Sequence, residues 1–256
     1  GMYDKAFPEQ GAKVSIHSDG SFEGLGCVLA NTNLNVLTAV FYWFTLKRDE
    51  PKKSRGRPRQ FDRERALESA LDLFWRHGYE ATSLADLVEV TGAKAPTLYA
   101  EFGNKEGMFR AAVERYLQKY TVCANQMLEQ DLPVAEIVEA YVRSSAEVFT
   151  DPDTPSGCFM VCASAALSSA SDDVAQMLRS KHHAQEAALK GCFDRKVQQG
   201  ELLAKTDTAL LAKYVICTIE GMSVQAREGA SRSDLLRLLE ALMLVWPRLS
   251  QIGNKV

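Results

Sequence analysis

From residue 60 onward the apolar positions recur at three- and four-residue steps, and no segment there alternates with the period of two that a half-buried strand requires. Leu67, Ala70, Leu71 and Phe74 stand at i, i+3, i+4 and i+7, which predicts a helix from about Asp62 to His77 with Gly78 to stop it. A short helix comes next. Thr82 and Ser83 offer N-cap chemistry, Asp86 stands three residues after Ser83 as a short-armed capping box, and Leu84, Leu87 and Val88 form a buried face before Gly92 breaks it. Pro96 suits the first turn of a third helix, where its missing N–H would have had no intrahelical partner, and Leu98 with Phe102 supplies the buried edge.

The remainder reads as longer helices with short breaks: Lys105 to about Met127, Pro133 to Thr150, Cys158 to Ser169, a long helix capped by Ser171 and ending at Gly200, Asp207 to Arg227, and Ser233 to Leu249. The class is all-α, a three-helix N-terminal domain followed by a helical bundle. In the last helix Leu235, Leu236, Leu238, Leu239, Leu242, Met243, Val245 and Trp246 cover more than one stripe. Burial on two sides is therefore expected, one against its own core and one against a partner subunit.

Residues 1–54 form an extension of a different kind. No charge occurs between Glu23 and Lys47, and Val36 to Leu46 is strongly apolar. That run falls short of the roughly 20 apolar residues that span a bilayer, and Asn31, Asn33 and Asn35 interrupt its approach. An ordered appendage, a poorly structured extension and a membrane anchor all remain open, the anchor being the least expected. Composition elsewhere is that of a soluble globular chain: 256 residues, 46% hydrophobic, 25% charged, net charge −3. Six scattered cysteines without a CxxC, and no signal-peptide pattern, suit a reduced, cytoplasmic protein. The small net charge hides a basic cluster, because Lys52, Lys53, Arg55, Arg57 and Arg59 crowd together just before the first helix. Such an arm often meets a polyanion.

Two short helices joined at Gly92 form a helix-turn-helix, whose second helix is able to enter a DNA major groove while the basic arm reaches phosphate or the adjacent minor groove. Glycine-joined helix pairs also occur as plain packing in all-α proteins, so the pattern alone leaves both readings open. The run GYEATSLADLVEVTGAKAPTLYAEFGNKEGMFRAAVERY, Gly78 to Tyr116, resembles the DNA-binding domain of TetR/AcrR-type transcriptional regulators. The shared features are Gly78-Tyr79, Thr82-Ser83, Gly92, Leu98-Tyr99, Phe102 and Lys105-Glu106, and the later stretches PSGCFMV and GMSVQAREGASRSDLL look like one branch of the same family.

The resemblance implies a helix-turn-helix over about residues 83–102 in a DNA-binding domain of residues 55–120, and an effector-binding and dimerisation domain of residues 121–256. It also implies a homodimeric repressor that binds a palindromic double-stranded operator and is released by a small hydrophobic effector. By position, Arg55, Arg57, Arg59, Thr82, Ser83, Tyr99 and Lys105 would contact phosphate or groove, while Lys94 and Thr97 would read base edges. Lys94-Ala95 departs from the family pattern, which often has a Ser or Asn cap followed by Lys or Arg. Candidate pocket walls are Met127, Tyr141, Phe149, Phe159, Met160, Met177, Phe193, Tyr214 and Met222, and the dimer face is expected at Leu235, Leu238, Leu239, Leu242, Met243 and Trp246.

No Ser/His/Asp spacing, Gly-rich phosphate loop or HExxH motif is present, so no catalytic residue, metal or cofactor is expected. The adjacent His182 and His183 point about 100° apart on a helix and do not face one metal together. Cys158 and Cys162, four residues apart, fit either buried packing or a thiol- or metal-sensing switch. An α-helical enzyme with a vestigial helix-turn-helix is the remote alternative.

Overall fold

The computed structural model describes residues 61–253 apart from 165–166 and 169–170, together with three short strands near the start of the chain. Those strands, β1 (Tyr3–Ala6), β2 (Lys13–Ile16) and β3 (Phe22–Glu23), form an antiparallel meander in the order β1-β2-β3. Tyr3 pairs with Ile16, and Ile16 in turn with Phe22. They belong to a separate unit, Gly1–Arg59, while Gln60–Val256 forms the helical unit. Arg55, Arg57, Arg59 and the apolar run 36–46 lie outside the described residues.

The first helix, α1 (Arg63–Ala81), starts at Asp62, whose carboxylate accepts from the Arg65 amide at 3.1 Å, and it is interrupted at Gly78. Gly78 adopts φ 79° and ψ 174°, a region open in practice only to a residue without Cβ. The chain then makes α2 (Leu84–Thr91), α3 (Ala95–Phe102) and α4 (Lys105–Tyr116). The single helix expected to run to Met127 is instead α4, a π-helical turn at Leu117–Thr121, and α5 (Val122–Met127). A π turn shifts the register of the helix after it, a local deformation that apolar periodicity does not announce.

Beyond it come α6 (Val134–Phe149), α7 (Phe159–Ser164), α8 (Asp172–Gln198), α9 (Thr208–Arg227) and α10 (Arg232–Leu249). Asp207 caps α9 by accepting from the Leu210 amide, and Ser231 with Asp234 closes a full capping box on α10. Ser171 precedes α8 but makes no cap bond, because its hydroxyl donates to Glu80 instead.

Helix α1 packs on α2 and α4 within the N-terminal region and on α7 beyond it. This crossing is held by a set of rings. Phe74 meets Phe109 edge-on at 5.1 Å, Phe109 meets Phe159 at 5.5 Å, and Trp75 meets Tyr116 edge-on at 5.0 Å and Phe159 at 6.1 Å. All five are essentially buried. Edge-to-face contacts at these separations add to the stabilisation that burial of the rings provides. Phe159, expected to line a pocket, is therefore the keystone between the N-terminal helices and α7. Phe159→Ala is expected to lower unfolding stability by about 3–5 kcal/mol in urea titration, with Phe159→Leu costing less.

Candidate nucleic-acid interface and effector cavity

The helix-turn-helix is locked by short-range bonds. At the start of α2 the Ser83 Oγ accepts from the Asp86 amide at 3.2 Å, while the Asp86 carboxylate accepts from both the Ser83 amide and the Ser83 hydroxyl at 2.7 Å. These bonds hold the Asp86 carboxyl below its ordinary range. Gly92 closes the helix at φ 65°, donating its N–H to the Val88 carbonyl. Lys94 occupies the N-cap of α3 without a side-chain cap bond, as its ammonium has no acceptor capacity, and Pro96 sits in the first turn. Leu98 and Phe102 turn inward, and Arg63 at the start of α1 lies 5.0 Å from the Phe102 ring.

On the outward side of α3, Lys94 and Tyr99 are exposed and Thr97 is half-buried, and none of the three side chains has a polar partner among the described residues. Lys105, in the first turn of α4, lies 4.3 Å from the Tyr79 ring centre, where the ring face offsets its repulsion by the positive end of the helix. Arg65 is exposed and carries no ion pair among the described residues.

Two expected phosphate contacts are corrected by the geometry. Thr82 is 1% exposed and its hydroxyl donates to the Gly78 carbonyl at 2.7 Å, so it latches the chain reversal and does not face solvent. The Ser83 hydroxyl is spent inside the capping box, and Asp86 already supplies the negative charge that the start of α2 attracts.

The interface is tied to the bundle by residues that the sequence did not single out. The break at Gly78 leaves carbonyls at the end of the regular part of α1 without helical partners. Arg227, in the last turn of α9, donates to two of them, the Trp75 carbonyl at 3.1 Å and the Arg76 carbonyl at 2.8 Å. Just past the break, Glu80 accepts from the Ser168 amide and hydroxyl and from the Ser171 hydroxyl. The two serine hydroxyls lead the bonds that hold the Glu80 carboxyl below its ordinary range. Lys181 of α8 pairs with Glu114 of α4. Glu68 of α1 receives Arg115 at 2.6 Å and Lys119 at 2.9 Å. Although burial pushes its carboxyl up, these two partners outweigh that and hold it below the usual value.

Behind these ties lies a cavity whose space for the centre of a water molecule is about 50 Å³. Of the expected walls only Tyr141 and Phe149 line it. Phe159, Met160, Phe193 and Met222 are core residues, Phe193 packing 6.1 Å from Trp246. Tyr214 is exposed, Met127 is half-buried at the end of α5, and Met177 packs on the edge of the core. The walls that apolar pattern did not reveal include Tyr116, Tyr120, Ser144, Cys158, His182, Gln185 and Glu220.

The Tyr116 hydroxyl donates to Cys158 Sγ at 3.4 Å. Burial pushes the Cys158 and Cys162 thiols up, against the lowering influence of Tyr116 on the first and Arg227 on the second. Burial thus disfavours the thiolate at both positions. Among the described residues no three His, Cys, Asp or Glu side chains gather as a metal site, and no helix is long and apolar enough to cross a membrane.

The expected dimer face also needs correction. Leu235, Leu239, Leu242 and Trp246 follow one inward stripe and are buried in the chain's own core, and Met243 packs against it. Leu238 belongs to the outward stripe with Ala241 and Val245, and α9 carries a matching exposed line of Leu210, Tyr214, Cys217, Gly221 and Val224.

Comparison with known proteins agrees with this architecture. Residues 66–112 match the family described as bacterial regulatory proteins, tetR family, and residues 134–242 match the tetracyclin repressor-like C-terminal domain. The HTH-type transcriptional repressor ComR of Escherichia coli (strain K12) is 47% identical over 199 residues, 77% of this chain and 95% of that protein. BdcR, another HTH-type transcriptional repressor of that strain, is 27% identical over 186 residues, 72% of this chain and 89% of its own. Among solved structures, a cysteine mutant of the TetR family transcriptional regulator CifR, complexed with 26 bp double-strand operator DNA, superposes with a TM-score of 0.71 at 35% identity. It covers 75% of this chain and all of that one.

The ties and caps have measurable consequences for stability. Ser83→Ala should cost about 1 kcal/mol through loss of the cap. Glu80→Gln should destabilise the protein at neutral pH. Because the folded-state Glu80 carboxyl is depressed, its contribution is complete above the ordinary value of 4.5 and lost as pH falls through the lower folded value. The gap between wild type and Glu80→Gln in urea unfolding is therefore expected to narrow below pH 4.5.

Proposed function

Since the chain belongs to the TetR family of helix-turn-helix transcriptional regulators, we propose that it acts in the cytoplasm as a homodimeric repressor whose two α3 helices read a palindromic operator and whose cavity receives the releasing effector. Residues 55–120 serve as the DNA-binding domain and residues 121–256 as the effector and dimerisation domain. The observation that carries the reading is the outward side of α3, where Lys94, Thr97 and Tyr99 stand free of internal polar partners among the described residues. A lysine near a base edge, a threonine with both methyl and hydroxyl, and a tyrosine able to donate to phosphate form the contact set such a helix uses. Lys105 adds a phosphate contact beside it, and the basic arm with Arg55, Arg57 and Arg59 adds charge close in sequence to Arg63. The resemblance in sequence and fold to a regulator solved on its operator supports the same assignment.

The dimer forms through the outward stripes of α9 and α10. Gly221 and Cys217 allow close helix approach while Leu238, Val245, Tyr214 and Val224 bury against their counterparts, giving a four-helix bundle. A two-fold interface of this kind places the two α3 helices for half-sites one DNA turn apart. An effector releases the DNA by preferring the arrangement in which the heads are misplaced for those half-sites, and it acts only through that difference in affinity.

Selection of bound duplexes from a random pool is expected to enrich a palindrome. In anisotropy titrations the affinity for it should fall steeply with salt, and Lys105→Ala should reduce the salt slope by about one. Tyr99→Phe should weaken binding by about 1.5–3 kcal/mol, as loss of a hydrogen bond to a charged group does. No enriched sequence from folded, dimeric protein would sink the reading. For the interface, Leu238→Glu combined with Val224→Glu should yield monomers in sedimentation velocity, whereas a dimer that survives both changes would place the interface elsewhere.

A further inference from the structure

The cavity has two chemically distinct walls. One is aromatic, with Tyr116, Tyr120 and Tyr141 facing the space from α4, the π turn and α6. The other is polar and comes from α8 and α9, with His182 and Gln185 one helical turn apart and Glu220 on the helix packed beside them. Among the described residues Glu220 is the only charged side chain of the lining, which contains neither Lys nor Arg. Lys119 does not line the cavity and pairs with Glu68, but its Nζ lies 5.2 Å from the centre of the Tyr120 ring, so one of the three rings already has a cation against it.

Glu220 and Gln185 make no hydrogen bond or ion pair among the described residues. The Nε2 atom of His182 is buried and has no hydrogen-bond partner among them either. A buried polar atom without a partner costs stability, and such atoms recur where a ligand completes the bonding. Burial pushes the imidazole's pKa down, in opposition to the nearby Glu220, which favours the neutral ring, and a neutral imidazole carries one acceptor nitrogen.

We propose that the cavity binds a small organic cation, a primary ammonium or amidinium on an apolar body, with its N–H groups directed to Glu220 and His182 and its body against the tyrosine rings. A lone carboxylate with acceptor neighbours and ring faces attracts positive charge, and the same wall repels a carboxylate ligand. The volume limits the occupant to a few heavy atoms unless side chains move, which excludes large polycyclic molecules from this conformation. The inference rests on reading the cavity as the effector site.

The test uses two matched probe sets, n-butylamine, n-butanol and butyrate, and benzylamine, benzyl alcohol and benzoate, titrated calorimetrically into full-length protein. The amine of at least one set should bind about tenfold or more tightly than its alcohol, with the carboxylate weakest. Glu220→Gln should erase the amine preference, and Glu220→Asp, which keeps the charge, should retain part of it. Glu228→Gln, near the end of the same helix but outside the cavity, should change nothing. Equal or better binding of alcohol or carboxylate, an unaltered preference in Glu220→Gln, or no binding by any probe overturns the proposal. Operator binding is measured on the same samples without probe, so failure of the cation assignment is distinguishable from failure of the regulator reading.

Discussion

The Arg227 guanidinium joins the two halves of the helical unit. It crosses from the end of α9 to the Trp75 and Arg76 carbonyls, groups left without helical partners where Gly78 interrupts α1. A charged donor on two such carbonyls forms a stronger tie than neutral hydrogen bonds, and it fixes the direction in which the chain leaves toward α2 and α3. Thr82, Ser83 and Gly92 then carry that direction forward by local bonds. The presentation of Lys94, Thr97 and Tyr99 therefore depends on a contact made by the bundle.

The cavity reaches the same joint from the other side. Tyr116 lines the cavity and also packs edge-on against Trp75, whose carbonyl Arg227 holds. Tyr120 does likewise at 5.3 Å. An occupant that moves either ring therefore acts on α1 directly, within one layer of side chains. Interiors packed at this density shift as units and do not absorb the change, which is the physical basis for linking a small ligand to the placement of a DNA-reading helix. His182, Gln185 and Glu220, on α8 and α9, complete the loop, since α9 ends in Arg227 itself.

Much of the fold was legible in the sequence because it is encoded locally. The cap at Ser83, the helix starts near Asp62 and Asp207, the stops at Gly78 and Gly92, and the inward pair Leu98 and Phe102 depend on neighbours within a turn or two. The outward residues of α3, Lys94, Thr97 and Tyr99, came instead from the family resemblance. The rest depends on groups that lie across the fold. Thr82 looks like a cap residue until the Gly78 carbonyl claims it, and Ser171 until Glu80 does. Apolar residues alone do not tell wall from core, so Phe159 and Phe193 were expected in the cavity, whereas the polar wall residues His182, Gln185 and Glu220 carry no apolar signal. In α10 the number of leucines indicated two buried sides, but only the structure separates the inward stripe of Leu235, Leu239 and Leu242 from the outward Leu238 and Val245.

If Arg227 sets the position of the reading heads, its loss must show in the distance between them. The most direct test places spin labels at Glu89→Cys on the two heads of the dimer, in a background with Cys27→Ser as well as Cys123→Ser and Cys217→Ser, the last two being the thiols exposed among the described residues. With Arg227 present, a single narrow distance distribution is predicted in the absence of DNA and effector. Arg227→Gln should broaden or shift it while the bundle remains folded and dimeric. An unchanged distribution in a folded Arg227→Gln dimer would contradict the role of Arg227, placing the control of the heads somewhere other than this joint.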